Sequence, residues 1–296
     1  MTNTERNLLQ NLAVIRGLRP IDDDFMRKIF KDNRNLAQVV LRIILGKDDL
    51  FVEDVKTQDD LKKLMGARSI ELDVHGWDSE QKQYDIEIQR ASSGARPHRA
   101  RYHLSALDTE NLGAGQDFEE LPETYVIIIT EKDFFHRGKP IYPIERVNLA
   151  ADYELFNDGE HILYVNGEYE DAAGQVTEIG KLLHDFRCSD PNEMLIPEMQ
   201  DASRKYKETE EGVREMCEAI EKLREESARE AAREAAIKAA REATIKATRE
   251  TAKQEKEQFA KRMLKAGKPI SEVIEFSGLS EERVLELKKE IEAGNI

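Results

Sequence analysis

The sequence predicts an α/β or α+β core, followed by a long charged helix and a small helical end unit. Three observations carry this reading. Two neighbouring segments, SIELDVH and YDIEIQ, alternate apolar and polar residues with a period of two; the run YVIIIT is apolar on both faces; and the chain beyond Arg204 turns into an Ala, Glu, Lys and Arg sequence without strand signals.

In chain order, apolar residues at Phe25, Ile29, Phe30, Leu36, Val39, Val40, Ile43 and Ile44 recur at three-and-four spacing, so Asp22 to Ile44 reads as amphipathic helix closed by Gly46. From Ser69, Ile70, Leu72 and Val74 alternate with Glu71, Asp73 and His75, a strand with one buried face. Tyr84, Ile86 and Ile88 repeat the pattern against Asp85, Glu87 and Gln89, and the short polar WDSEQKQ between the two permits a hairpin. Pro97 opens a helix through Leu107, Gly113 and Gly115 mark a loop, and Tyr125 to Thr130 reads as a buried central strand. His161 to Val165 can add another strand, with helices from both ends of the core covering the sheet.

Residues 1–203 form the core in this reading, 204–258 the Ala-rich helix or linker, and 259–296 the end unit. Pairs such as Glu234 with Lys238 and Glu242 with Lys246 support the helix, whose few large apolar residues favour a solvated spacer over a tight coiled coil. In the end unit, Phe259 to Ala266, Ser271 to Phe276 and Ser280 to Ile291 suggest three short helices resembling a helix-turn-helix, with Ser271 and Ser280 as N-caps. Glu281 and Glu282 at the start of its last helix would repel phosphate, which favours docking of protein there over reading of DNA.

Composition narrows the function. No run of about 18 apolar residues and no secretory signal is present, so a cytoplasmic protein without membrane contact is expected. Cys188 and Cys217 lack the spacing of a zinc site or a disulfide framework and read as reduced thiols. A net charge of −15 opposes nucleic-acid binding, unless a local basic cluster and a bound cation dominate one cleft.

If the hairpin centres near Glu80, Asp73 lies opposite Glu87 and Glu71 opposite Gln89, all on one face. Opposed residues have Cβ atoms about 4.5–5.5 Å apart, where like charges destabilise. A divalent cation would offset that repulsion, and paired carboxylates suit magnesium. An open strand face with solvated acidic side chains is the other arrangement this spacing allows.

The segment ARSIELDVHGWDSEQKQYDIEIQRASSGARPHRARYHLSALD, continued by ELPETYVIIITEKDFFHRGKPIYPIER and preceded by DFMRKIFKDNRNLAQVVLRIILG, resembles the PD-(D/E)XK nuclease family transposases, the recombination-promoting nuclease group, over about residues 20–200. The resemblance implies a restriction-endonuclease-like core, a mixed sheet flanked by helices, acting as a DNA endonuclease with Mg2+ or another divalent cation. It also implies a link to recombination. Asp73 and Glu87 match the family's core carboxylates, and the metal would be held by them and the backbone carbonyl of Ile88. Gln89 stands where the wider superfamily usually has lysine; as a catalytic residue it can orient a water by hydrogen bonds but adds no positive charge.

Downstream, Arg90, Arg96, His98, Arg99, Arg101, Tyr102 and His103 form the densest basic and aromatic cluster. Arg90, Arg96, Arg99, Arg101 and Tyr102 are the candidates for DNA contact, and Arg99 and His103 would share a helix face. His75 opposite Asp85 reads as a solvated pair, and Glu53 and Asp54 could complete a metal site. DNA is the expected partner, and homo-oligomerisation through the C-terminal helix stays open. The alternative function is a catalytically inactive nucleic-acid-binding or assembly protein that uses the nuclease fold.

Overall fold

The computed structural model describes residues 3–60, 71–90 and 94–294; Ser69 and Ile70, read as the start of a strand, lie outside them. The chain begins with helix α1 (Asn3–Gly17), then α2 (Asp23–Phe30) and α3 (Arg34–Leu45). The break between α2 and α3 falls at Asn33, whose side chain caps α3 by accepting from Leu36 N at 3.2 Å. Gly46 ends α3 in the left-handed conformation, at φ 64°, as its position in the pattern predicts.

Three strands follow: β1 (Val52–Asp60), β2 (Glu71–Asp78) and β3 (Gln83–Gln89). The turn between β2 and β3 is built by Asp78, whose Oδ1 accepts from Glu80 N and Lys82 N and whose Oδ2 accepts from Tyr84 Oη at 2.7 Å. That turn fixes the antiparallel register at Trp77 with Gln83, Gly76 with Tyr84, His75 with Asp85 and Val74 with Ile86. Helix α4 (Pro97–Asn111) starts with proline at its first position, and β4 (Thr124–Thr130) is buried at every residue. Short strands β5 (Ile141–Ile144), β6 (Val147–Asn148) and β7 (Glu154–Leu155) precede β8 (Glu160–Asn166), helices α5 (Glu178–Arg187) and α6 (Pro197–Glu208), and the long α7 (Glu210–Lys265).

Among the described residues the main sheet has six strands in the order β1-β2-β3-β4-β8-β5. β3, β4 and β8 run parallel in its middle, and antiparallel partners flank them, which makes the sheet mixed. Parallel central strands buried on both faces read as continuous apolar runs, which is why YVIIIT betrayed its place. On one face Ile86, Ile88, Ile127, Ile129 and Val165 pack with residues of α2, α3, α5 and α6. On the other, Val126, Ile128 and Tyr164 pack with Ala100, Leu104 and Leu107 of α4. The α/β expectation is met by this mixed sheet covered on both faces by helices.

The chain divides into compact units at residues 1–220 and 221–296, the division falling inside α7. Residues 224–256 of that helix are exposed throughout in the single chain. In the second unit α8 (Ile270–Ser277) and α9 (Glu281–Glu292) close a small core of Ala260, Val273, Val284 and Leu287. Ser280 caps α9, as expected, but the N-cap of α8 is Pro269 and Ser271 lies inside the helix. The segment from Phe259 is the end of α7, so the first of the three expected short helices has no separate existence. Among the described residues, no helix is long and apolar enough to cross a membrane.

Candidate active site

Six charged or imidazole side chains of β2, β3, α2 and α4 meet where the β2–β3 ladder ends. Beyond Val74 and Ile86, the next step of the register would set Asp73 against Glu87. There the carboxylates take the place of backbone carbonyls. Asp73 N donates to Glu87 Oε1 at 3.1 Å, and Ile88 N donates to Asp73 Oδ2 at 3.3 Å. Leu72 packs on the α4 side of the sheet whereas Val74 packs on the other, so the alternation of β2 breaks at Asp73. The expected strand with a single buried face is therefore replaced by one buried on both faces.

Neither carboxylate is solvated. Asp73 is 4% and Glu87 1% exposed, which removes the open-face arrangement. Each holds an arginine. Arg27 of α2 donates from Nε and Nη2 to Asp73 Oδ1 at 2.9 and 2.6 Å, and Arg99 of α4 donates from Nη2 to Glu87 Oε2 at 2.9 Å. Charge-assisted contacts of this kind offset part of the cost of burying the acids.

A third carboxylate belongs to the cluster. Asp85, two residues before Glu87 and so on the same face of β3, is fully buried, and its Oδ2 lies 2.8 Å from His103 Nδ1. Ligand atoms of Asp85, Glu87 and His103 lie within 4.8 Å of one another. Asp85 Oδ1 is buried with no hydrogen-bond partner among the described residues, a vacancy in the acceptor set that natural cores rarely leave. His103 sits one helical turn after Arg99, and both reach β3 because Ala100, Leu104 and Leu107 turn that side of α4 onto the sheet. Tyr164 Oη donates to Ala95 O at 2.8 Å and holds the approach to α4.

The electrostatics follow from burial. Burial, then the charges of Asp85 and Asp73, push the Glu87 carboxyl up to about 7. Burial likewise raises the Asp85 carboxyl. Burial alone would lower the His103 pKa, but the hydrogen bond and charge of Asp85 outweigh it, so the imidazole is raised. Asp85 and Glu87, both raised, resist simultaneous ionisation, and a divalent cation is the partner that would relieve them. Carboxylate oxygens, one of them orphaned, fit such an ion.

The other sequence candidates divide. Gln89, half-buried beyond Glu87, stands opposite Thr130 and lines a small cavity with Asp133 and Phe134. Arg90 pairs with Asp22 and Glu131, each at 3.1 Å, and Arg19 joins the same two carboxylates. Arg96, His98, Arg101 and Tyr102 are exposed on α4 or at its start. His103 does share a face with Arg99, but that face is turned inward, because Asp85 and Glu87 lie beneath it. His75 stands opposite Asp85 in the strand register, as expected, and contacts Gln83 at 3.2 Å, but with 8% and 0% exposure the two are buried and not solvated. Glu53 and Asp54 are exposed on β1 and stand outside the cluster. Arg27 was invisible in the sequence, since only the fold brings it to a residue 46 positions away.

Residues 29–250 match the family described as PD-(D/E)XK nuclease family transposase. No curated protein and no solved structure gives a significant match to the chain.

Proposed function

The chain belongs to the PD-(D/E)XK nuclease family transposases, and from that premise we propose that it hydrolyses DNA phosphodiester bonds as a magnesium-dependent endonuclease, with Asp73 and Glu87 as the metal-holding carboxylates. The observation that carries the metal reading is the buried group of Asp85, Glu87 and His103, whose ligand atoms lie within 4.8 Å of one another and in which Asp85 Oδ1 has no hydrogen-bond partner among the described residues; Asp73 adjoins it through its backbone N–H, which donates to Glu87 Oε1. Asp73, Glu87 and the Ile88 carbonyl would hold a divalent cation, which would supply activation of a water and neutralisation of phosphate charge.

The remaining work falls to the chain's own groups. Gln89 follows Glu87 on the same face of β3 and orients the attacking water through its amide. It carries no charge, so it would orient that water without helping to ionise it. The Asp85–His103 pair sets the position of the Glu87 carboxylate from the interior side. Arg96, Arg101 and Tyr102 on the exposed side of α4, with Arg90 at the end of β3, position the DNA backbone. Substrate binding of this kind concentrates basic groups at one place on an otherwise acidic protein.

Incubating the purified full chain with supercoiled plasmid and magnesium or manganese tests the function. Nicked or linear product that forms with metal and stops with chelator is expected. Intact plasmid under every divalent metal would favour an inactive nuclease fold used for binding or assembly.

A further inference from the structure

Both carboxylates of the proposed metal site already have cationic partners. Arg27 pairs with Asp73 and Arg99 with Glu87, at 2.6 and 2.9 Å. In each pair the carboxylate is the interior member and the arginine the outer one, with side-chain exposures of 5% against 29% and of 1% against 37%. A guanidinium keeps its proton in proteins, so it cannot leave these acids by becoming neutral. A cation arriving at Asp73 and Glu87 therefore competes with two charged guanidiniums, each seated on one carboxylate oxygen. The charge balances: two guanidiniums withdraw as one divalent ion arrives.

The Arg99 pairing is also incomplete. Its Nε is buried and has no acceptor among the described residues, although a guanidinium edge of Nε and Nη2 forms a two-donor fork suited to a phosphate or a carboxylate. Glu87 engages one tooth of that fork. Arg27 and Arg99 come from α2 and α4, which pack on different faces of the sheet, so they flank the carboxylates.

We infer that Arg27 and Arg99 are placeholder counter-ions: a divalent cation displaces them from Asp73 and Glu87, and the released guanidiniums then bind phosphates of the DNA strand at the site. This rests on the metal-dependent reading above and assigns the arginines a role beyond it. Only ion partners exchange; no covalent bond changes. The arrangement couples the two ligands, because DNA rewards the state in which the arginines are released and metal creates it. By linkage each tightens binding of the other. It also keeps the site from gathering phosphate before metal is present. The opposite role is a fixed clamp, in which the arginines orient the carboxylates and remain on them when metal binds.

Calorimetric titration of the full chain with Mn2+, for the parent, Arg27→Gln and Arg99→Gln, separates the two roles. It is paired with binding of a short fluorescent DNA duplex, with and without Ca2+, and the folding of each variant is checked by circular dichroism. Losing a competitor should tighten Mn2+ binding by about threefold or more, and losing one charge-assisted phosphate contact should weaken duplex binding about tenfold with Ca2+ and less than about twofold without it. The inference is overturned if the variants bind Mn2+ no better than the parent, or if duplex binding falls equally with and without Ca2+. The variants lie on separate helices, so either one that folds decides the matter. A parent that binds no Mn2+ would overturn the metal-dependent reading together with this one.

Discussion

Glu87 carries opposing demands on a single side chain: it is 1% exposed, lies close to two other acids, and its carboxyl is pushed up to about 7. Glu87→Gln keeps the size, removes the repulsion and weakens the tie to Arg99. The metal-free variant is therefore expected to melt at or above the parent temperature while losing plasmid cleavage, as thermal melts in chelator and a nicking assay would report. A lower melting temperature would mean that the Arg99 ion pair outweighs the repulsion. The hairpin register was legible as far as Val74 with Ile86, because a period of two and a short polar connection fix who faces whom, and Asp73 and Glu87 stand one step beyond it. Their environment was not. Arg27 is brought by a helix 46 residues away, and the inward turn of His103 depends on which side of α4 meets the sheet. The break in alternation at Asp73 leaves no mark in the sequence, since Leu72 and Val74 are both apolar and each finds its own core.

Elements were legible where burial is extreme. β4 sits between β3 and β8 with every residue buried, and Ile128→Ala should cost about 2–5 kcal/mol of stability, measurable by denaturant unfolding. β1 escaped notice because VEDVKTQDD places charges next to apolar residues without regular alternation. In the second unit, Glu257 accepts two hydrogen bonds from Arg283, at 2.9 and 3.1 Å, tying α7 to α9. That contact holds the Glu257 carboxyl below its ordinary 4.5. A depressed acid contributes stability above its unfolded value and loses it as pH falls through the folded one, so the tie weakens below pH 4.5. Glu257→Gln should speed amide exchange in α9 about two- to fivefold at neutral pH. The difference from the parent should vanish below the folded pKa.

Across the whole molecule, the charge of −15 belongs mainly to surfaces outside the cluster, and the acids within it are matched by Arg27, Arg99 and His103. Both large cores, and every residue assigned to the site, lie within residues 1–220. A fragment of those residues is expected to fold and to melt within about 2–4 °C of the first unit in the full chain, a shift equivalent to roughly 1 kcal/mol. Failure of the fragment to fold would show that the long helix is needed for the core. The site itself is tested most directly by the rate of plasmid nicking in magnesium for the parent, Asp73→Ala and Glu87→Ala, each confirmed folded by its melt. Cleavage by the parent, abolished in both variants and by chelator, is the predicted result. Equal cleavage by parent and variants would contradict the assignment and place the activity elsewhere.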